Sequence, residues 1–416
     1  MGLGATIAAA VSLAVTPVAQ GLACRFGAVS RPDGQRRLEP RPIPVWGGLA
    51  VYVALLAGLL VAAAVVPDFG RFGSFLGAMG VSAGLVCLLG CYDDLCDMRA
   101  EWKLAGQIAA TLPLVLGGFW VDRLVLFGHT THLGWLGIPW TVSWLVLGIN
   151  AMNLIDGLDG LASTLGIIVS VAIAWTAVVQ GVMVAALPAL VLAGALAGFL
   201  VYNLPPARIY LGDCGSMLTG LVLFALAMLV SRDTVGSMHL GAAVLLFFIP
   251  LLDTGLAVVR RTLSGRHFMT ADRAHIHHRL ADSGFRTWGT LALLAALCLS
   301  TAAVAGWLIR VQLEWTSWLV MALTGLILVR GQLAGHEEWA MARRWIARRL
   351  ALLPLPAGAG GTRASRQAVV DGPSTRQTLE ESAAPLPVPM VPTSDAAGTA
   401  AQPDGSTAAE PLKKAA

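Results

Sequence analysis

A chain of 416 residues that is 56% hydrophobic and 12% charged, with a mean hydropathy of +0.72, lies far from soluble globular proteins, in which about 25% of residues are charged. That composition excludes a soluble enzyme or a nucleic-acid-binding module and implies a polytopic membrane protein. The net charge of +4 adds little, because topology follows where Lys and Arg fall and not their sum.

A bilayer-spanning helix takes roughly 20 mostly apolar residues. Such stretches fall near residues 3–25, 46–66, 72–92, 104–119, 138–153, 161–180, 182–202, 214–231, 239–259, 288–309 and 315–333, which predicts an all-α bundle of about eleven transmembrane helices. The first reads as a helix and not as a signal peptide, since no Lys or Arg precedes it and no small-residue cleavage site stands before Arg25. Eleven crossings place the termini on opposite sides. One set of connections carries fourteen cations, from Arg25, Arg31, Arg36, Arg37 and Arg41 through Arg99, Lys103 and Arg208 to Arg286; the other carries only Arg71, Arg123, Arg232 and Arg310. This asymmetry predicts an outside N-terminus and a cytoplasmic C-terminus.

The transmembrane domain is thus expected over 1–335. "HEEWAMARRWIARRLALLPLP" follows, a basic amphipathic segment over 336–356 suited to an anionic membrane surface. Residues 357–416 are rich in Ala, Pro, Gly, Ser and Thr and nearly free of aromatics, so a disordered cytoplasmic tail is expected there. The six cysteines form no CxxC pair and read as small buried hydrophobes.

Polar residues gather where hydrocarbon would be expected. In chain order they are Asp93, Asp94 and Asp97 in "YDDLCD", Asp156 and Asp159 in "NLIDGLDGLA", Asp213 in "YLGDCGS" and Asp253 in "IPLLDTG". Carboxylates at a membrane edge are costly and mark function by default, and the predicted topology puts these loops on the cytoplasmic side, with Asp253 inside a span. Asn150, Asn153, Asp156 and Asp159 recur every third residue and share one face for as long as the helix lasts. Gly212 and Gly215 flank Asp213 at a helix start, where backbone amides attract anions and a carboxylate is a natural divalent-metal ligand. Clustered hard oxygens favour Mg²⁺, with Mn²⁺ also suited, and imply a phosphate ester or pyrophosphate substrate. The loop "RRTLSGRHFMTADRAHIHHRLADSGF" adds five arginines and His267, His275, His277 and His278. It contains no cysteine and its spacers are short for structural zinc, so polyphosphate binding is the expected role.

Taken in order, "RPDGQRRLEPRPIPVWGGLA", "GCYDDLCDMRAEWKLAGQ", "NAMNLIDGLDGLA", "YNLPPARIYLGDCGSMLTG" and "HIHHRL" resemble the polyprenyl-phosphate N-acetylhexosamine-1-phosphate transferases, over residues 20–290. That superfamily also holds phospho-N-acetylmuramoyl-pentapeptide transferase, and "HIHHRL" is similar to its WecA/TagO-type branch. The resemblance implies a Mg²⁺-dependent transfer of a hexosamine 1-phosphate, GlcNAc foremost, from a UDP-N-acetylhexosamine to undecaprenyl phosphate with release of UMP. It also implies a bacterial cytoplasmic (inner) membrane location with the active site facing the cytoplasm. The implied partners are undecaprenyl phosphate, the UDP-sugar and membrane lipid, with no nucleic acid. Small-residue spans are compatible with a homodimer.

Carried over residue by residue, Asp93 and Asp94 match the aspartate pair that handles the lipid phosphate. Asp156 and Asp159, with Asn153, match the set near metal and nucleotide-sugar. Asp213 matches the magnesium ligand, with Asn153 beside it. Lys103, Asn203, His275, His277, His278 and Arg279 match substrate-binding positions. Two departures stand in the first motif, where many relatives carry histidine at Glu39 and arginine at Val45. Direct displacement and a covalent aspartyl-phosphate both remain open. Three rival readings are a muramoyl-pentapeptide step, an intramembrane prenyltransferase suggested by "DDLCD", and an ion-coupled transporter. The prenyltransferase lacks a convincing second aspartate-rich motif, and the transporter lacks midplane carboxylates and an inverted repeat.

Overall fold

Every one of the eleven apolar stretches is helical in a computed structural model, which describes residues 2–30, 42–66, 72–265 and 275–351. The helices are α1 (Gly2–Phe26), α2 (Gly47–Val65), α3 (Gly73–Cys96), α4 (Ala100–Leu116), α5 (Gly137–Ile155), α6 (Leu161–Gln180), α7 (Met183–Asn203), α8 (Gly212–Val230), α9 (Leu240–Leu246), α10 (Phe248–Leu263), α11 (Ile276–Asp282), α12 (Thr287–Val311), α13 (Glu314–Arg330) and α14 (His336–Ala351). Among the described residues, eight helices are long and apolar enough to cross a bilayer, and nine if α9 and α10 count as one. The chain is an all-α polytopic membrane protein. Helices α4 and α13 have 17 residues each, the lower limit for a crossing.

The stretch at 239–259 is not the straight span its composition suggests. It breaks at Phe247, and α9 and α10 meet at 93°. Pro250 lies in the first turn of α10, where its missing N–H has no intrahelical acceptor to lose, so a helix can begin there but not run through. Asp253 therefore sits on a redirected helix that ends with the buried Arg260 and Arg261, not in the middle of a continuous span.

α8 forms the axis of the bundle. It is buried almost throughout, from Cys214 to Met228, and so is apolar on every side. Trp144 of α5 donates its indole N–H to the Phe224 carbonyl at 3.1 Å, and the Phe224 ring stacks on Phe247 at 4.0 Å between centroids. α1 packs on α2 and α7, which fits a bundle helix.

Two small sheets fall outside the helical expectation. β1 (Val29–Ser30) pairs antiparallel with β2 (Ile43–Pro44). β3 (Arg123–Leu126) and β4 (His129–His132) form a hairpin, and β5 (Met238–His239) joins β3 in parallel. The two hairpin residues Phe127 and Gly128 both have positive φ, 48° and 73°, the conformation that matches the twist of a two-residue hairpin. Arg232 donates to the Trp120 carbonyl at 3.0 Å, and His239 lies 3.7 Å from Glu314, so this sheet and the loops at 120, 232 and 314 close one end of the bundle. The carboxylates gather at the other end. Glu39 and residues 357–416 lie outside the described residues. The 336–356 segment is represented by α14, whose Trp339, Trp345 and Ile346 are exposed.

Candidate active site

The last turn of α3 brings Asp93 inward, and Asp97 in the left-handed conformation (φ 48°) ends the helix. The Met98 amide then donates to Asp93 Oδ1 at 2.8 Å, which fixes the α3–α4 corner. One turn into α4, the Lys103 ammonium lies 2.7 Å from Asp93 Oδ2 and pairs with the Asp213 carboxylate. It also donates to Asn153 Oδ1 at 3.3 Å. Oxygens from α3, α5 and α8 thus converge on a single cation.

Asn153 completes the ring by donating to Asp213 Oδ1 at 2.8 Å and to Ser216 Oγ at 3.0 Å. Asn150, a turn earlier, is turned to Gln107, to which it donates at 2.7 Å, and belongs to the helix packing. The shared face predicted for the every-third-residue series ends with α5 at Ile155, and Asp156 and Asp159 leave it. Asp159 Oδ2 accepts the Ala207 amide at 2.9 Å and so pins the loop that leads to Asp213. Asn203 braces the same loop: it donates to the Ile209 carbonyl and accepts from the Ser163 hydroxyl, each at 3.0 Å. It is buried at 2% exposure, a framing position.

Asp94 does something different from its neighbour. Its carboxylate accepts the Asp213 amide at 3.0 Å and the Cys214 amide at 3.4 Å, capping α8 from another helix. Gly212 makes this possible. Its φ is +74°, and a Cβ there would lie 1.8 Å from the Val45 carbonyl oxygen and 2.8 Å from Asp94 Oδ2. Val45 therefore meets the site through its main chain.

Asp156 is half-buried between these groups. Desolvation, then the negative charges of Asp213 and Asp159, push its carboxyl up to about 8. The end of the bundle therefore holds more carboxylate than Lys103 alone balances. A hard divalent cation fits this donor set: Asp213 and Asn153 offer oxygens that already converge on an ammonium, and Mg²⁺ needs only one or two carboxylates beside substrate phosphates. Among the described residues no group of three or more His, Cys, Asp or Glu side chains is placed to hold a metal ion by itself.

The histidine segment lies against the Asp156–Asp159 turn. Asp253 receives the Ile276 amide at 2.8 Å and lies 2.8 Å from His275 Nδ1, which fastens the start of α11. His277 packs on Gly157, where a Cβ would come within 2.5 Å of the imidazole. It is 3% exposed and, among the described residues, neither ring nitrogen has a hydrogen-bond partner. Burial, then the neighbouring His278, push its pKa down to about 4, so it is neutral at pH 7 and offers one N–H and one lone pair. The His277 and His278 rings lie 4.2 Å apart. Arg279 turns away from this turn and is held by Glu338 and Glu337.

Asp93, Lys103, Asn153 and Asp213 therefore form one cluster. Asp94 stands behind it, and Asp156, Asp159 and His277 stand beside it; Asn203 and Arg279 are held elsewhere by protein partners. Ser216 and Glu338 escaped the sequence-based assignment, and Asp253, singled out as a carboxylate within a span, was given no role. Ser216 had a signal, three residues after Asp213 on the same helix; Glu338 had none.

The profile of glycosyl transferase family 4 matches residues 75–231, a range that holds the cluster from Asp93 to Ser216. Among curated proteins, the chain is 34% identical over 275 residues to the probable undecaprenyl-phosphate N-acetylglucosaminyl 1-phosphate transferase of Bacillus subtilis, covering 65% of this chain and 75% of that one. It is 37% identical over 305 residues to the decaprenyl-phosphate N-acetylglucosaminephosphotransferase of Mycolicibacterium smegmatis, covering 67% and 74%. The phospho-N-acetylmuramoyl-pentapeptide-transferase of Bacillus thuringiensis is 27% identical over 298 residues, covering 69% and 90%.

Proposed function

Since the chain belongs to glycosyl transferase family 4, we propose that it transfers N-acetylglucosamine 1-phosphate from UDP-N-acetylglucosamine to undecaprenyl phosphate. In this reaction an oxygen of the lipid phosphate forms a bond to the sugar-linked phosphorus, the bond from that phosphorus to the oxygen bridging it to the nucleoside phosphate breaks, that oxygen leaves with UMP, and a lipid-linked sugar pyrophosphate results. The observation that carries the proposal is the convergence of Asp93, Asn153 and Asp213 on Lys103 at the end of the buried helix α8.

Two phosphate groups repel each other, and a site that joins them has to supply fixed positive charge. Lys103 brings that charge on a side chain held from three directions. Mg²⁺, held by Asp213 and Asn153, would supply further neutralisation of the diphosphate. Asp93 orients Lys103, and Asp94 fixes the α8 terminus that carries Asp213. Neutral His277 can donate or accept a hydrogen bond at the donor sugar or its phosphate without adding charge. Since the second pKa of a phosphate monoester is about 6, the lipid nucleophile needs no strong base, which favours direct displacement over an aspartyl-phosphate.

The topology proposed with this function has eleven crossings, the N-terminus outside and the cluster facing the cytoplasm of the bacterial inner membrane. Arg25, Arg99, Lys103, Arg208, Arg260 and Arg286 at the cluster end, against Arg123, Arg232 and Arg310 at the other, support it. Purified protein given UDP-GlcNAc and undecaprenyl phosphate is expected to release UMP only when the lipid and Mg²⁺ are both present, and EDTA stops the release. UMP formation that is indifferent to the lipid would defeat the transferase reading.

A further inference from the structure

Helix α11 has seven residues, far below the ~12–15 at which an isolated helix becomes even marginal in water, so its place depends on tethers. Asp253 holds its first turn. The second tether lies 59 residues further along the chain. Glu338, in the first turn of α14, accepts Arg279 Nη1 on Oε2 at 3.1 Å and takes Arg279 Nη2 and Arg260 Nη1 on Oε1. Glu337 accepts Arg279 Nη2 at 3.3 Å. Exposures of 7% for Arg260, 9% for Arg279 and 3% for Glu338 separate this cluster from ordinary surface ion pairs.

We propose that Glu338 is a positioning residue, and that the Arg260–Glu338–Arg279 cluster clamps α11 to α10 and α14 so that His277 stays seated on Gly157 beside Asp156. The planar guanidinium of Arg279 grips one carboxylate with both nitrogens, a geometry that sets orientation as well as attraction. Buried ion pairs of this kind do little for net stability, and this one ties α10, α11 and α14 together. Arg279 is then an anchor, and contact with the donor falls to the histidines of the same helix. α14, beyond the last long apolar helix, becomes part of the catalytic unit. The catalytic consequence rests on the transferase reading above; the clamp itself does not.

Hydrogen–deuterium exchange on full-length protein in detergent tests the clamp without turnover. Glu338→Gln and Arg279→Gln should each speed exchange across residues 276–282 by about tenfold while 212–230 stays protected. Unchanged exchange in α11, or loss of protection in α8 as well, would overturn the proposal. In UMP release the two substitutions and their double variant should fall together, the double lying within about twofold of the worse single. Multiplying losses would mean that Arg279 and Glu338 act separately, and the anchor role would be rejected. A wild-type protein that turns over no UDP-sugar would refute the transferase reading and leave the exchange result to judge the clamp.

Discussion

Asp213→Asn is expected to lower UMP release by about 10²- to 10³-fold while the protein still folds, the scale seen when one preorganised electrostatic contact to a reacting phosphate or oxyanion is lost. Asparagine keeps the volume and one oxygen but removes the charge that holds Lys103 and receives Asn153. Lys103 would retain only Asp93 as an ionic partner among the contacts described, and the place where oxygens converge on a cation would open. The α8 terminus should survive, because Asp94 is bonded to the main-chain amide of residue 213 and not to its side chain. Rate measured beside an unchanged elution profile and thermal midpoint isolates the charge effect. Full activity in Asp213→Asn would remove this residue from the chemistry.

Gly212→Ala should do comparable damage by a different route. An L-residue in the left-handed conformation costs about 1–2 kcal/mol, and here the new methyl would also meet the Val45 carbonyl at 1.8 Å. The backbone has to move. Because Asp94 reads the next two amides, the shift passes directly to Asp213, and a displacement of ~1 Å at a reacting centre costs about 10²-fold in rate. Both a lower thermal midpoint and a lower turnover are therefore expected, whereas Asp213→Asn changes turnover alone. An alanine variant with wild-type rate and midpoint would show that the turn relaxes freely.

Much of the bundle was legible because hydrophobic length maps directly onto spanning helices, and all eleven stretches are helical. The break at Phe247 was not, since composition does not register direction; only Pro250 hinted at it. The hairpin at 123–132 hid in the connection between α4 and α5, whose side chains carry little alternation. At the candidate site, the aspartate and asparagine motifs come together at one end of the bundle. They did not separate roles: Asp93 and Asp94 are adjacent in sequence, yet one pairs with Lys103 and the other caps α8, because successive helical residues point about 100° apart. The periodic series Asn150 to Asp159 misled beyond Ile155, where the helix ends. Arg279 matches a substrate-binding position in the sequence, and in the structure it is held by Glu338; a contact spanning 59 residues leaves no local trace.

The central claim is that the cluster around Lys103 moves a phosphosugar and not a sugar. UDP-GlcNAc labelled with ³²P at the sugar-linked phosphorus and incubated with undecaprenyl phosphate and Mg²⁺ tests it most directly. The label is expected to pass into the lipid extract while unlabelled UMP appears in equal amount. Label recovered in released UDP, with the sugar alone on the lipid, would contradict it.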